Sequence, residues 1–401
     1  MKMWHFYCPN IIYGEDAIDF IEKIKGERCF IVTDKTIEDL GYLKILTDKL
    51  DKFGKKYSVF ADVVPDPHEE DVLLGKDKCI EYNPDLIIAL GGGSVIDSAK
   101  GIWAIYEYPE YTLDNINPFN DQLYDFANKA KFIAIPTTSG TGSEVTWAAI
   151  ISRFQDNAWR KMSLPHMSLV PTYAIVDPIF PMGMPPKLTV NTAFDALAHA
   201  IEGYISSWRN EFCNALGLKA IELIFKYLPI VYKDGNNKEG RDLLHQASTM
   251  AGLTFSNSQV HLGHAMGHSF GAIFSSHHGE AVGLFLRYVT QYLLNSPVEP
   301  NESIEVYSNI AKKLGWAKWS DDPKKAAYVV VEKINELQKE VDFITNLKDL
   351  GIKREDFDSN LGKLISLCYQ DPSSVMAPRT PNKEEFTKLY TYAYEGKDID
   401  F

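Results

Sequence analysis

The sequence predicts an α/β domain followed by an all-α domain. Three observations carry that prediction. Short β-rich runs alternate with helical patterns in the first half, and apolar residues recur at helical spacing through the second. A proline-rich segment over 177–186 separates the two. At 401 residues the chain is long for one core, so two domains, 1–184 and 185–401, are expected.

Residues 29–33, 57–60, 86–90 and 132–135 are rich in strand-forming side chains, with a charged amphipathic stretch over 42–53 between the first two. Strands alternating with helices imply parallel βαβ units joined by crossover helices. Beyond about Pro185 few such runs remain. Segments 190–205, 213–228, 243–254, 281–294, 303–314, 326–343 and 384–394 instead repeat apolar residues every three or four positions, as packed helices do.

Bulk properties narrow the function. Lys and Arg number 41 against 54 Asp and Glu, a net charge of −13, and phosphate backbones need the opposite surplus, so no nucleic-acid partner is expected. The five cysteines, Cys8, Cys29, Cys79, Cys213 and Cys368, show no C-x-x-C spacing, which indicates neither a disulfide framework nor a thiolate zinc site. The first residues lack the continuous apolar core of a signal peptide, and no apolar stretch approaches the ~18 residues that span a bilayer. A cytoplasmic protein without membrane contact, handling a neutral small molecule, is the expectation.

Gly91, Gly92, Gly93 and Ser94 follow the strand over 86–90 and open a helical pattern that contains Asp97. Consecutive glycines let the backbone turn tightly and approach a pyrophosphate, while the free N–H groups of the helix supply positive partial charge. The competing reading is a capping box made by Ser94 and Asp97. The usual fingerprint is G-x-G-x-x-G with an acidic residue ~20 positions later. Here the acid comes first, as Asp34 at the end of the strand over 29–33. There a carboxylate can accept from ribose hydroxyls and repel a 2′-phosphate, or it can cap the helix that follows. A second loop over 136–144 sets Thr137, Thr138 and Thr141 among small hydroxylic residues, again after a strand.

Asp195 and His199 stand at i and i+4 on one face of a strongly apolar helix, and Glu202 continues their stripe. Taken alone, the pair suits an ion pair as well as metal ligation. His261, His264 and His268, at i, i+3 and i+7, define a second helical face, followed by His277 and His278. One Asp with three His suits Fe²⁺ or Zn²⁺ rather than Ca²⁺ or Mg²⁺. His268, one turn beyond His264, is placed beside such a metal without binding it, either as a proton relay or as an orienting partner.

Taken together and in order, these features resemble the iron-containing (group III) alcohol dehydrogenase family across essentially the whole chain. The carrying motifs are Val32-Thr33-Asp34, the loops at 91–97 and 136–144, and the Asp195, His199, Glu202 stripe. His264-Ala265-Met266-x-His268, His278-Gly279 and Ala377-Pro378-Arg379 complete them. The resemblance implies an α/β N-terminal Rossmann-like dinucleotide-binding domain followed by an all-α metal-binding domain. An active site between the two and a homo-oligomer, dimer or higher, are implied as well. So is NAD-dependent interconversion of small primary alcohols and aldehydes.

By the same resemblance Asp195, His199, His264 and His278 bind the metal, Fe²⁺ with Zn²⁺ as the alternative. Gly91, Gly92, Gly93 and Ser94 hold the pyrophosphate, with Asp97 near the cofactor. Thr137, Thr138 and Thr141 line the groove, and Lys161 reaches a ribose. Asp34 takes the position that favours NAD over NADP, and Asp66, between Pro65 and Pro67, is a further contact. The chain departs from the family at His261, commonly a small residue, and at His277, commonly Pro. Two rivals share related architecture: a polyol or glycerol dehydrogenase, and a dehydroquinate-synthase-like cyclase. The cyclase needs a basic pocket, and Lys and Arg are absent between 242 and 286.

Overall fold

Residues 4–120, 126–155 and 158–401 are described by the computed structural model. The chain divides into two units, Met1–Met184 and Pro185–Phe401. In the first, β1 (Asn10–Tyr13) precedes β2 (Arg28–Val32), α1 (Lys35–Asp39), α2 (Tyr42–Lys52), β3 (Lys56–Phe60), α3 (Glu69–Tyr82), β4 (Leu86–Gly91) and α4 (Gly93–Glu107). Then come β5 (Lys131–Pro136), the antiparallel hairpin of β6 (Ala148–Gln155) and β7 (Ala158–Pro165), and β8 (Tyr173–Val176).

The sheet runs β1-β8-β5-β4-β2-β3, and every neighbouring pair is parallel. Alternate residues take opposite faces. Phe30, Val32, Ile87 and Ala89 pack with α3 and α4 residues such as Val72 and Ile102. Cys29, Ile31, Leu86 and Ile88 pack with Leu43, Leu46 and Leu50 of α2. With both faces covered the strands need no polar alternation, which is why they read as continuous apolar runs. From β2 the chain steps to β3 on one side and then to β4 on the other. Strand order therefore reverses between β2 and β4, and open α/β sheets bind ligands outside the carboxyl ends of strands at such a reversal.

The second unit holds no strand among its described residues. Its helices are α5 (Pro186–Ile205), α6 (Glu211–Lys233), α7 (Lys238–Ser256), α8 (Leu262–Phe274), α9 (His278–Leu294), α10 (Glu302–Lys313), α11 (Pro323–Glu340), α12 (Arg354–Gln370) and α13 (Lys383–Glu395). α6 continues through Pro229, where the sequence pattern stops at 228, because Leu228 and Val231 bury its last turn. α5 is buried without interruption from Thr189 to Ile205 and packs against α6, α7 and α9.

The start of α9 approaches α5 at a glycine. A Cβ on Gly279 would lie 2.2 Å from the Asn191 carbonyl oxygen and 3.1 Å from Asp195 Cβ. Gly279→Ala should therefore force α9 off α5, at the ~1–3 kcal/mol typical of overpacking. For a unit of this size that is a melting temperature lower by about 2–12 °C. An unchanged melting curve would show that the contact yields freely.

Candidate metal centre

Asp195 and His199 lie in the buried middle of α5, only 2% and 4% exposed. His264 is on α8, and His278 is the first residue of α9. One ligand atom from each of the four lies within 4.8 Å of all the others. Asp195 Oδ1 is the hub, 3.3 Å from His278 Nε2 and 3.8 Å from both His199 Nε2 and His264 Nε2. Neither Asp195 Oδ1 nor His264 Nε2 makes a hydrogen bond. Buried polar atoms without partners cost free energy, so a cluster of them converging on one point fits a cation.

The electrostatics agree. Burial alone would raise the Asp195 carboxyl, but His199, His278 and His264 around it pull it well below the usual carboxylate range. Burial drives His199 down to about 3, and Asp195 only partly opposes it. Burial, with His278 beside it, also lowers His264. An ionised Asp195 beside His199 and His264 held neutral by burial is the protonation state that ligation requires.

Packing fixes the rings. His199 stacks on Phe255 with centroids 4.1 Å apart and on His264 at 4.7 Å. His264 is held from behind by Glu202, a fully buried carboxylate. Glu202 accepts from His264 Nδ1 at 2.7 Å, from the backbone N–H of His261 at 2.9 Å and from that of Gly263 at 2.6 Å. Its charge thus rests on the amino end of α8, where backbone N–H groups point outward. Gly263 makes the approach possible, since a Cβ there would fall 2.3 Å from Glu202 Oε1. With Nδ1 donating to Glu202, the lone pair of His264 Nε2 is turned toward Asp195.

His268 is beside the cluster and not part of it. Its ring stacks on His278 with centroids 5.2 Å apart, and its Nδ1 is 2.7 Å from Asp371 Oδ2. His261 departs from the sequence expectation. α8 begins at Leu262, so His261 precedes the helix as its N-cap and does not share a helical face with His264 and His268. His277 likewise precedes α9.

In the first unit, Asp34, the glycine turn and the Thr137 loop sit at the carboxyl ends of the adjacent strands β2, β4 and β5. Thr33 Oγ1 donates to the Leu90 carbonyl at 2.8 Å, and Thr137 N to the Gly91 carbonyl at 3.0 Å. A Cβ on Gly93 would meet Thr141 at 2.9 Å, and one on Gly92 would meet Thr138 at 3.4 Å. The two loops therefore face each other. Asp34 caps α1, its Oδ1 accepting from Ile37 N at 3.0 Å.

The capping box of Ser94 and Asp97 does not form, because Gly92 is the N-cap of α4 and Ser94 lies inside the helix. Asp97 instead accepts from Ser143 Oγ and, at 2.9 Å, from Ile150 N, bracing the start of the hairpin. Asp66 and Lys161 form an ion pair with each other at 2.8 Å.

Residues 8–178 match the family described as iron-containing alcohol dehydrogenase, and residues 189–394 match the C-terminal part of the Fe-containing alcohol dehydrogenase family. The chain belongs to the iron-containing alcohol dehydrogenase family. It is 34% identical to an NADPH-dependent butanol dehydrogenase of Clostridium saccharobutylicum over 100% of both chains. It is 36% identical to an aldehyde-alcohol dehydrogenase of Streptococcus pneumoniae serotype 4, over 97% of this chain but 46% of that longer protein. Among solved structures in which the same fold appears, a sulfoacetaldehyde reductase of Bifidobacterium kashiwanohense in complex with NAD⁺ superposes with a TM-score of 0.84. It is 27% identical over 98% of this chain and 99% of that one.

Glu202 was visible in the sequence only as the continuation of a polar stripe, and the geometry gives it work. Glu202→Gln keeps the shape but replaces one acceptor oxygen with a donor. Metal affinity, read by chelator competition, should fall by about 10–100-fold, as for other groups that orient a ligating histidine. Unchanged affinity would remove Glu202 from the site.

Proposed function

We propose that the chain interconverts small primary alcohols and aldehydes with NAD(H), using one divalent metal, Fe²⁺ or Zn²⁺, held by Asp195, His199, His264 and His278. The observation that carries this reading is the convergence of Asp195 Oδ1 and His264 Nε2, both buried and without hydrogen bonds, with two further imidazoles. Bound there, the metal supplies Lewis acidity to the substrate oxygen, and the nicotinamide supplies a hydride acceptor. The second unit is thus the metal-binding domain and the first the dinucleotide-binding domain.

The chain's own residues do the rest. N–H groups at Gly91, Gly92, Gly93 and Ser94 receive the pyrophosphate at the start of α4. Thr137, Thr138 and Thr141 line the dinucleotide, Asp97 holds the hairpin near it, and Asp66 and Lys161 contribute as a pair. Alcohol oxidation gives up a hydride from carbon and a proton from oxygen, and His268 takes that proton at Nε2. Assembly as a homo-oligomer in the cytoplasm belongs to the same reading and rests on the family alone.

Protein purified without oxygen and reloaded with Fe²⁺ or Zn²⁺ should oxidise NADH with short-chain aldehydes. Asp195→Ala and His264→Ala should each lose both metal and turnover while still binding NADH, read by its fluorescence. Stoichiometric metal and near-normal rates in either variant would show that the ligands lie elsewhere.

The Asp34 carboxylate caps α1 with one oxygen, and its Oδ2 makes no hydrogen bond among the described residues. We assign that oxygen to the ribose hydroxyls, which makes NAD(H) the preferred coenzyme even though one relative is named NADPH-dependent. Asp34→Gly should narrow or reverse the ratio of kcat/KM values for NADH and NADPH. A wild-type protein that favours NADPH ends this assignment.

A further inference from the structure

We propose that Asp371 is a positioning residue for His268, holding its ring so that Nδ1 carries the hydrogen and Nε2 is the proton-accepting atom. The inference rests on the relay role given to His268 above and deepens it. Asp371 is 103 residues away in sequence and follows directly on α12. Its two oxygens are divided between two tasks. Oδ1 accepts from Ser373 N at 2.9 Å and from Ser373 Oγ, which pins the carboxylate to its own turn. Oδ2 is then left for His268 Nδ1 at 2.7 Å.

Burial would raise the Asp371 carboxyl, but His268 and Ser373 bring it down to about 2. An ionised carboxylate has no hydrogen to give, so the imidazole donates at Nδ1, and in its neutral form the lone pair is at Nε2. Ring contacts fix the remaining freedom. His268 lies nearly parallel to His278, at 18°, and edge-on to His264, with centroids 5.8 Å apart and planes at 76°. The side chain is 34% exposed, whereas that of Asp371 is 15% exposed. The more buried acid thus orients a more exposed base, the division of labour found in carboxylate–histidine pairs of hydrolases.

The plain alternative is that Asp371 only caps its turn, and one substitution separates the two. Asp371→Asn retains an oxygen for Ser373 N but turns an NH₂ group toward His268 Nδ1, which reverses the tautomer. The measurement is the ¹⁵N–¹H spectrum of His268 in the full chain loaded with diamagnetic Zn²⁺, taken with kcat, KM and metal content. We expect the hydrogen to move from Nδ1 to Nε2 and kcat to fall by ~10²-fold or more. KM should change far less, metal should stay stoichiometric, and Asp371→Glu should restore part of the rate. In the double variant with His268→Ala, Asp371→Asn should add nothing, because it acts through the ring that is gone.

An unchanged tautomer in Asp371→Asn, or a rate loss that persists in the His268→Ala background, overturns the proposal. Should His268→Ala alone turn over at the wild-type rate, the relay reading fails. The tautomer reversal, read separately by the spectrum, would still uphold Asp371 as the group that sets the ring.

Discussion

A carboxylate sealed inside an apolar helix is the constraint from which the second unit follows. α5 is buried from Thr189 to Ile205, yet it carries Asp195, His199 and Glu202 on one stripe. Water does not solvate these groups, so the neighbouring helices must. α8 offers its N-terminal N–H groups and His264 to Glu202, and the start of α9 brings His278 to Asp195. Two glycines, Gly263 and Gly279, occupy the positions where any side chain would hold those helices away. The same arrangement that satisfies Glu202 leaves Asp195 Oδ1 and His264 Nε2 unsatisfied. One carboxylate is fully compensated by protein and the other is left open to a ligand.

The first unit solves a different problem with the same economy. Its two loops approach each other closely, and small residues at the ends of β4 and β5 allow this. Asp97, in the first turns of α4, ties that helix to Ser143 and Ile150, so the glycine turn and the threonine loop are braced together. The positions that sequence spacing singled out therefore fall into two kinds: those presented at strand ends, and those, like Asp97, that hold them in place.

Legibility followed how local each signal was. β2, β4 and β5 were evident because a doubly covered parallel strand is an apolar run, the edge strand β3 from its aromatic and β-branched residues, and α5 and α9 because their periodicity extends over several turns. β1 and β8 are only four residues long, too short for a pattern, and are defined by pairing with each other across the length of the unit. The hairpin of β6 and β7 opens on a short apolar run at Ala148–Ile151, but exposed aromatic and charged residues such as Phe154, Trp159 and Arg160 break the pattern beyond it. Among site residues, Asp195, His199, His264 and His278 stood out because histidine is scarce and was clustered. Glu202 was visible as part of a stripe, but its pairing was not, since two of its three partners are backbone N–H groups at the start of another helix. Asp371 gave no signal, because a carboxylate after a helix has many uses and its partner is distant in sequence. The placement of His261 outside α8 was hidden for a similar reason: spacing of three and seven residues does not reveal where a helix begins.

The role proposed for Asp34 would link coenzyme choice to local folding. One of its carboxylate oxygens closes the amino end of α1. Any change of coenzyme made at this position would therefore also edit a helix cap. Ala would forfeit about 1 kcal/mol from the loss of the cap, whereas Ser retains an acceptor without charge and Gly loses only a few tenths. Neutral residues at this site are thus not equivalent. The ones that can admit a 2′-phosphate without loosening the strand-to-helix corner are those that can also begin a helix, and a search for altered coenzyme use in this scaffold would be filtered by stability before it was filtered by binding.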